Sequence, residues 1–239
     1  MFPLGDDNSL RRITPVVTFV LIAINVAVFL LELQNGDAFI SQWAFVPRRF
    51  TAAPSADAVT ILSAMFMHGG WMHLGGNMLY LWIFGDNVEE VLGHWRYALV
   101  YLACGVAASL AHIAVAPNSL IPSLGASGAI AGVMGMYVLW FPHNQVRVLV
   151  FRVITLMPAL VVIGLWIIMQ IVLGMGELSR VGQQGGVAYM AHIGGAVAGI
   201  AFGVIYMDLA RSHGEPPTTF GWGPQRYRFE QGPFWANRS

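Results

Sequence analysis

The sequence predicts an all-α membrane protein, a bundle of six transmembrane helices, and three observations carry that reading. Of 239 residues 56% are hydrophobic and only 10% are charged, against roughly 25% charged in an ordinary soluble domain, and the mean hydropathy is +0.63. A bilayer core about 30 Å thick is crossed by about 20 apolar residues at 1.5 Å rise each, and runs of that kind recur six times. Arginines, finally, are spread unevenly over the segments that join the runs.

The polar stretch MFPLGDDNSLRR makes residues 1–12 a short cytoplasmic N-terminal segment. The first apolar run, Ile13 to Leu33, is too long for a signal-peptide core and lacks a small-residue cleavage site, so it is expected to remain as the first span. Gln34 to Trp71 is too long to be a mere connector, and its Trp43, Phe45 and Val46 are expected to lay part of it in the lipid interface. The second span, about Met72 to Leu92, carries His73, Asn77 and Asp86, and the fourth, Leu124 to Phe141, is short and glycine-rich. Lipid cannot satisfy polar groups, so both are placed inside the bundle. Tyr97 to Val115, Ile154 to Met175 and Val187 to Leu209 are clear apolar runs and supply the third, fifth and sixth spans. The membrane domain is therefore 13–209. Residues 210–239 turn polar and rich in proline and glycine (HGEPPTTFGWGPQ) and read as a disordered cytoplasmic tail.

An even number of spans puts both termini on one side. With the termini in the cytoplasm, the inner segments hold Arg11, Arg12, Arg96, Arg147, Arg152, Arg211, Arg226, Arg228 and Arg238, against Arg48, Arg49 and Arg180 outside. That bias of nine to three chooses the orientation, and the compact six-span form points to a bacterial inner membrane. Twelve arginines and no lysine are balanced by twelve acids, which leaves no basic field to hold nucleic acid. Cys104 is the single cysteine, excluding an internal disulfide and a thiolate metal cluster; no metal or other cofactor is expected. Asp86, Glu89, Glu90 and Asp208 fall near inner helix ends and are read as hydrated interface groups.

In this topology spans two, four and six run the same way, and each places polar groups at its outer end. His73 and Asn77, four residues apart and so on one helix face, open the second; Ser127 opens the fourth; His192 lies just inside the sixth. At 1.5 Å per residue all four lie within roughly 10 Å of the outer boundary, which suggests one site. A serine hydroxyl is a weak nucleophile that an imidazole within hydrogen-bond reach activates for acyl transfer, so His192 is the candidate base. The negative charge that develops needs donors, and His73, Asn77 and the backbone N–H of Ser127 at a helix N-terminus would supply them. No acid stands near the outer ends to orient His192, which favours a dyad over a triad.

A serine in a transmembrane helix usually packs or bonds back to its own backbone, and a buried histidine is more often a satisfied structural group than a base. Against that, Gly125-Ala126-Ser127-Gly128 opens a span, where bare glycines let a peptide carbonyl approach. The sequence is not the GxSxG elbow of soluble hydrolases, because residue 129 is alanine and no strand precedes it. Gly195, Gly199 and Gly203 form a small-residue seam on the sixth span, and Gly128, Gly132, Ala131 and Gly135 a matching one on the fourth; packing the seams together brings the Ser127 and His192 ends into contact. His68, His94, His112 and His143 read as loop, helix-end or packing residues. A proton relay through His73 and His192 is the competing reading of intramembrane histidines, but it requires no glycine-flanked serine and no continuous polar path reaches the inner side.

The segments HGGWMHLGGN (His68 to Asn77), GASGAIAG (Gly125 to Gly132) and AHIGG (Ala191 to Gly195), in that order, resemble the rhomboid intramembrane protease family, over about Trp43 to Leu209. The resemblance implies a rhomboid-like six-helix fold that cleaves transmembrane protein substrates within the lipid bilayer, with Ser127 and His192 as a Ser-His dyad and the HxxxN element, His73 and Asn77, as the oxyanion hole. It implies a structural role for His68, and a lateral gate and cap made by the fifth span and Gly182 to Gly186. Two features depart from some members: Ala131 stands where an aromatic would stack on the base, and a Trp-Arg pair is missing from the first outer loop. A family member that binds transmembrane clients without cutting them is the alternative, and the four retained polar residues speak against it.

Overall fold

The computed structural model describes residues 2–8, 12–178 and 189–212. Among these, nine α-helices, one 3-10 turn and three strands follow in the order β1 (Phe2–Asp6), α1 (Val16–Trp43), α2 (Pro47–Ala52), α3 (Pro54–Asp57), α4 (Val59–Ser63), the 3-10 turn Ala64–Phe66, α5 (Trp71–Leu92), α6 (His94–Val115), α7 (Ser127–Trp140), β2 (Gln145–Val150), β3 (Val153–Pro158), α8 (Ala159–Leu178) and α9 (Tyr189–Ser212). Three helices are long and apolar enough to cross a membrane: α1, α6 and the Tyr189–Leu209 part of α9. Ser127–Trp140 and Ala159–Met175 are shorter apolar helices. The last helix carries on through 210–212, read from the sequence as the start of the tail; the proposed cap, Gly182 to Gly186, and residues 213–239 lie outside the described residues.

The first helix starts at Val16 and runs ten residues past Leu33, because Gly36, at φ 62°, bends the helix and lets it continue to Trp43. Its first turn has no side-chain cap of its own, since Pro15 occupies the capping position. Two carboxylates of α5 take that role. Glu89 accepts from the backbone N–H groups of Val17 and Thr18, both at 2.8 Å, and from the Thr18 hydroxyl at 2.7 Å. Glu90 accepts from Arg12 and Ile13 at 2.9 and 2.7 Å. Negative charge at a helix N-terminus is favourable because the unpaired N–H groups point at it. Asp86 and Glu89 are thus buried, at 2% and 0% exposure, which corrects their reading as hydrated interface groups.

The long connection after α1 folds onto the end of the bundle instead of lying in the interface at Phe45. Phe45 is buried with Ile61 and Ala64, and Phe45 and Ser123 pair backbone to backbone at 3.2 and 2.7 Å. Arg49 ties the connection together, donating to the Asp57 carboxylate at 2.6 Å and to the carbonyls of Ser41 and Ala44. The pairing with Ser123 fixes the approach to Ser127, four residues on.

Helix α7 is the centre of the bundle, with every residue from Gly128 to Tyr137 buried, as its short glycine-rich sequence predicts. The second predicted span is only half inside: α5 is buried from Ile83 to Glu89 but exposes Trp71 and Met72 at its start. The glycine seams pack face to face. A methyl placed on Gly195 would stand 2.0 Å from the Gly128 carbonyl oxygen, and one on Gly199 would stand 1.9 Å from that of Gly132. Only glycine allows α9 so close to α7. Gly203 departs from the pattern by packing on the Leu139 and Met136 side chains.

The described residues are not all helical. β2 and β3 form a hairpin (Gln145 opposite Pro158, Val150 opposite Val153), and β1 pairs antiparallel with β2, Phe2 opposite Leu149 and Asp6 opposite Val146. This corrects the all-α expectation and trims the fifth helix. Ile154 to Pro158, counted in the fifth span, belong to β3, where β-branched residues favour extended backbone and Pro158 removes a helical donor. α8 accordingly starts at Ala159.

Candidate active site

Ser127 is the first residue of α7. Gly125 just before it has φ +131°, a backbone conformation that favours glycine, and its N–H donates to the Ala64 carbonyl at 2.8 Å. The chain thus turns abruptly into the helix, and the N–H groups of the first turn have no partner within it. His192 sits one turn into α9. The seam that joins α7 to α9 sets the two side chains against each other: Nε2 of His192 lies 2.8 Å from Oγ of Ser127.

Two further side chains reach His192, both from α8. The Gln170 side-chain oxygen Oε1 lies 2.6 Å from Nδ1, so the imidazole is bonded on both nitrogens. The Trp166 ring lies with its centroid 5.6 Å from that of His192, the planes 41° apart. Sequence reasoning identified neither residue. An aromatic ring thus stands near His192 from α8, while Ala131 of α7 offers none, and the group that meets Nδ1 is an amide and not a carboxylate.

His73 and Asn77 occupy one face at the start of α5, beside Gly125. A methyl on Gly125 would stand 2.9 Å from Cε1 and Nε2 of His73 and 3.6 Å from Nδ2 of Asn77, so the bare glycine backbone is what both side chains face. The Gly69 N–H approaches Nδ1 of His73 at 3.4 Å, which leaves Nε2 to carry the ring hydrogen. Nδ2 of Asn77 is buried and has no hydrogen-bond partner among the described residues, an unused donor of the kind that buried amides rarely leave. Behind them, His68 packs edge-on against His73 with ring centroids 5.1 Å apart. The Glu32 carboxylate of α1 holds this loop by accepting the His68 backbone N–H at 3.0 and 3.1 Å. Burial, and after it the neighbouring His73, push the His68 ring down to about 4, so it is neutral near pH 7. His68 supports the site without facing it.

All four residues line one cavity of about 860 Å³. Its walls are small where α7, α6 and α9 meet (Gly105, Ala108, Gly128) and larger and apolar at Met72, Met134 and Trp166. Among the described residues no carboxylate lines it. The arrangement can therefore activate a hydroxyl, donate hydrogen bonds to an anion beside Gly125, and accept an extended apolar chain. Within hydrogen-bond distance of Ser127 Oγ, the group able to carry a proton is the His192 imidazole.

Comparison with known proteins places this architecture. Residues 55–209 match the family model described as "Rhomboid domain". The chain is 30% identical over 192 residues to "Rhomboid protein 1, mitochondrial" of Saccharomyces cerevisiae, covering 78% of this chain and 52% of that protein. It is 35% identical over 123 residues to "Rhomboid protease GluP" of Bacillus subtilis, covering 51% of this chain and 24% of that protein. It is 30% identical over 190 residues to "RHOMBOID-like protein 4" of Arabidopsis thaliana, covering 74% and 41%. The chain spans about half the length of these relatives or less. One of these relatives is named as mitochondrial, so the similarity does not support the bacterial inner membrane expected from the sequence. With most of its length matched by that domain, and with helices apolar enough to enter a bilayer, the chain is a membrane protein of the rhomboid family.

Proposed function

We propose that this protein is an intramembrane serine endopeptidase that hydrolyses peptide bonds of transmembrane protein substrates through a dyad of Ser127 and His192. The observation that carries this reading is the 2.8 Å contact between Ser127 Oγ and His192 Nε2 at the wall of a cavity. In the proposed arrangement α1, α5, α6, α7, α8 and α9 all lie across the bilayer, as a membrane domain over 13–209 with both termini in the cytoplasm.

The reaction follows from the geometry. His192 Nε2 takes the Ser127 hydroxyl proton as Oγ attacks the scissile carbonyl carbon. The oxyanion that forms lies beside Gly125, where His73 Nε2–H, Asn77 Nδ2 and the Ser127 backbone N–H donate to it. The proton on Nε2 passes to the leaving amine as the C–N bond breaks, and the acyl group remains on Oγ as an ester. Water, deprotonated by the same nitrogen, attacks the ester; Oγ leaves with the proton and the carboxylic product departs.

A mechanism-based serine inhibitor such as a fluorophosphonate is expected to label the wild type and not Ser127→Ala. A transmembrane reporter with a destabilised helix should be cleaved by the wild type and left intact by that variant. Cleavage by Ser127→Ala at an unchanged rate discards the dyad. A wild type that neither labels nor cleaves, while still retaining the reporter, is instead a client-binding protein.

A further inference from the structure

We infer that Gln170 is the positioning residue of the base, an amide that fixes which nitrogen of His192 carries the proton; the inference rests on the proposed Ser127–His192 reaction. Helix α8 exposes Leu160, Leu165, Ile168, Met169 and Val172 and buries a narrow stripe of which Gln170, at 5% exposure, is the polar member. An amide at that depth is costly unless it finds a partner, and the partner is His192 Nδ1 at 2.6 Å. A carbonyl oxygen only accepts, so Nδ1 must carry the hydrogen. In the neutral ring Nε2 then bears the lone pair, and Nε2 is the nitrogen that faces Ser127 Oγ. The other tautomer sets two lone pairs against each other at Gln170 and turns an N–H, which cannot take a proton, toward the serine. Trp166, one turn before Gln170, bounds the plane in which the ring turns. The amide thus occupies the place a carboxylate holds in a triad, behind a cavity that no carboxylate lines among the described residues.

The test compares wild type, Gln170→Leu, Gln170→Glu and Ser127→Ala in reporter turnover, rate of fluorophosphonate labelling and thermal stability in detergent. Gln170→Leu keeps the volume and removes the acceptor. Its kcat is expected to fall about 10- to 100-fold, part of what a positioned base contributes, with KM within about twofold and labelling slowed by the same factor. Gln170→Glu restores an acceptor oxygen at the same reach. It is expected to turn over faster than the leucine variant although it is less stable, because a buried carboxylate is costly. A merely structural glutamine reverses that order, since activity then follows stability. The inference is overturned if kcat of Gln170→Leu stays within about twofold of wild type, or if activity tracks stability across the two variants. Should the leucine variant fail to fold, Gln170→Met decides by the same kcat criterion. A wild type labelled no faster than Ser127→Ala sinks the dyad itself; a wild type and Gln170→Leu labelled equally fast, with Ser127→Ala unlabelled, sinks only the role of Gln170.

Discussion

Asn77 is the residue at which the oxyanion reading is most exposed to test. Its Nδ2 has no partner to lose among the described residues, so truncation removes a donor to the proposed reaction and little from the fold. Asn77→Ala is expected to lower kcat by about 10²- to 10³-fold, the usual cost of one oxyanion donor, with KM and thermal stability nearly unchanged, because the bond forms only as charge develops. Steady-state kinetics that show a raised KM at intact kcat would make Asn77 a substrate-binding group instead. Ser127, His192, His73 and Asn77, which line one cavity, could be singled out because each is polar and stands near one end of a predicted apolar run. Gln170 obeyed the same rule: it lies five residues before Met175, about 7.5 Å at 1.5 Å per residue from the end of the predicted fifth run. A search confined to acids passed over it. Trp166 carried no such signal, since an aromatic in an apolar helix is ordinary.

The distance between serine and histidine is an element-scale property, set by how closely α7 and α9 approach. Gly199→Ala places a methyl 1.9 Å from the Gly132 carbonyl oxygen, a clash with backbone that no rotamer relieves, so the helices must part. The variant is expected to lose stability and more than about tenfold in turnover, since angstrom-scale displacements of reacting groups cost that much or more. Gly164→Ala on α8 is the control: a methyl there meets nothing within 4 Å, and neither melting temperature nor turnover is expected to fall. Equal behaviour of the two variants would remove the seam from the account. The glycine spacing and the six apolar runs were readable because hydropathy and small-residue periodicity are local. The ends were not. Gly36 let α1 run on to Trp43, and the Val153–Pro158 stretch was apolar enough to pass for helix although it pairs as a strand.

On the scale of the molecule the chain keeps polar groups at both ends of the bundle, and only the Ser127 end announced itself in the sequence. The opposite end rests on pairings between residues far apart in the chain, which no local period reveals; β2 alternates buried Val146 and Val148 around exposed Arg147, but its partner β1 lies at the N-terminus. β1 carries Asp6, whose Oδ2 accepts from the Tyr137 hydroxyl at 2.6 Å and from Asn87 Nδ2 at 2.8 Å, while Oδ1 is buried without a partner among the described residues. Burial first, then the Asp86 carboxylate on α5, with Asp7 beside it, drive the Asp6 carboxyl well above its usual range despite the Tyr137 bond. The folded protein therefore favours neutral Asp6. The sign follows: this contribution to stability is complete below the unfolded value near 4 and is lost as pH rises through the raised folded value. Asp6→Asn holds the group neutral at every pH. Between pH 5 and 8 the wild-type melting temperature is expected to drop by a few degrees relative to the variant, about 2 to 4 °C for each kcal/mol in a chain of this size, with the variant the more stable at pH 8. Parallel melting curves over that interval would mean that Asp6 is ionised in the fold, and that some group other than a neutral carboxyl joins the N-terminal strand to α5 and α7.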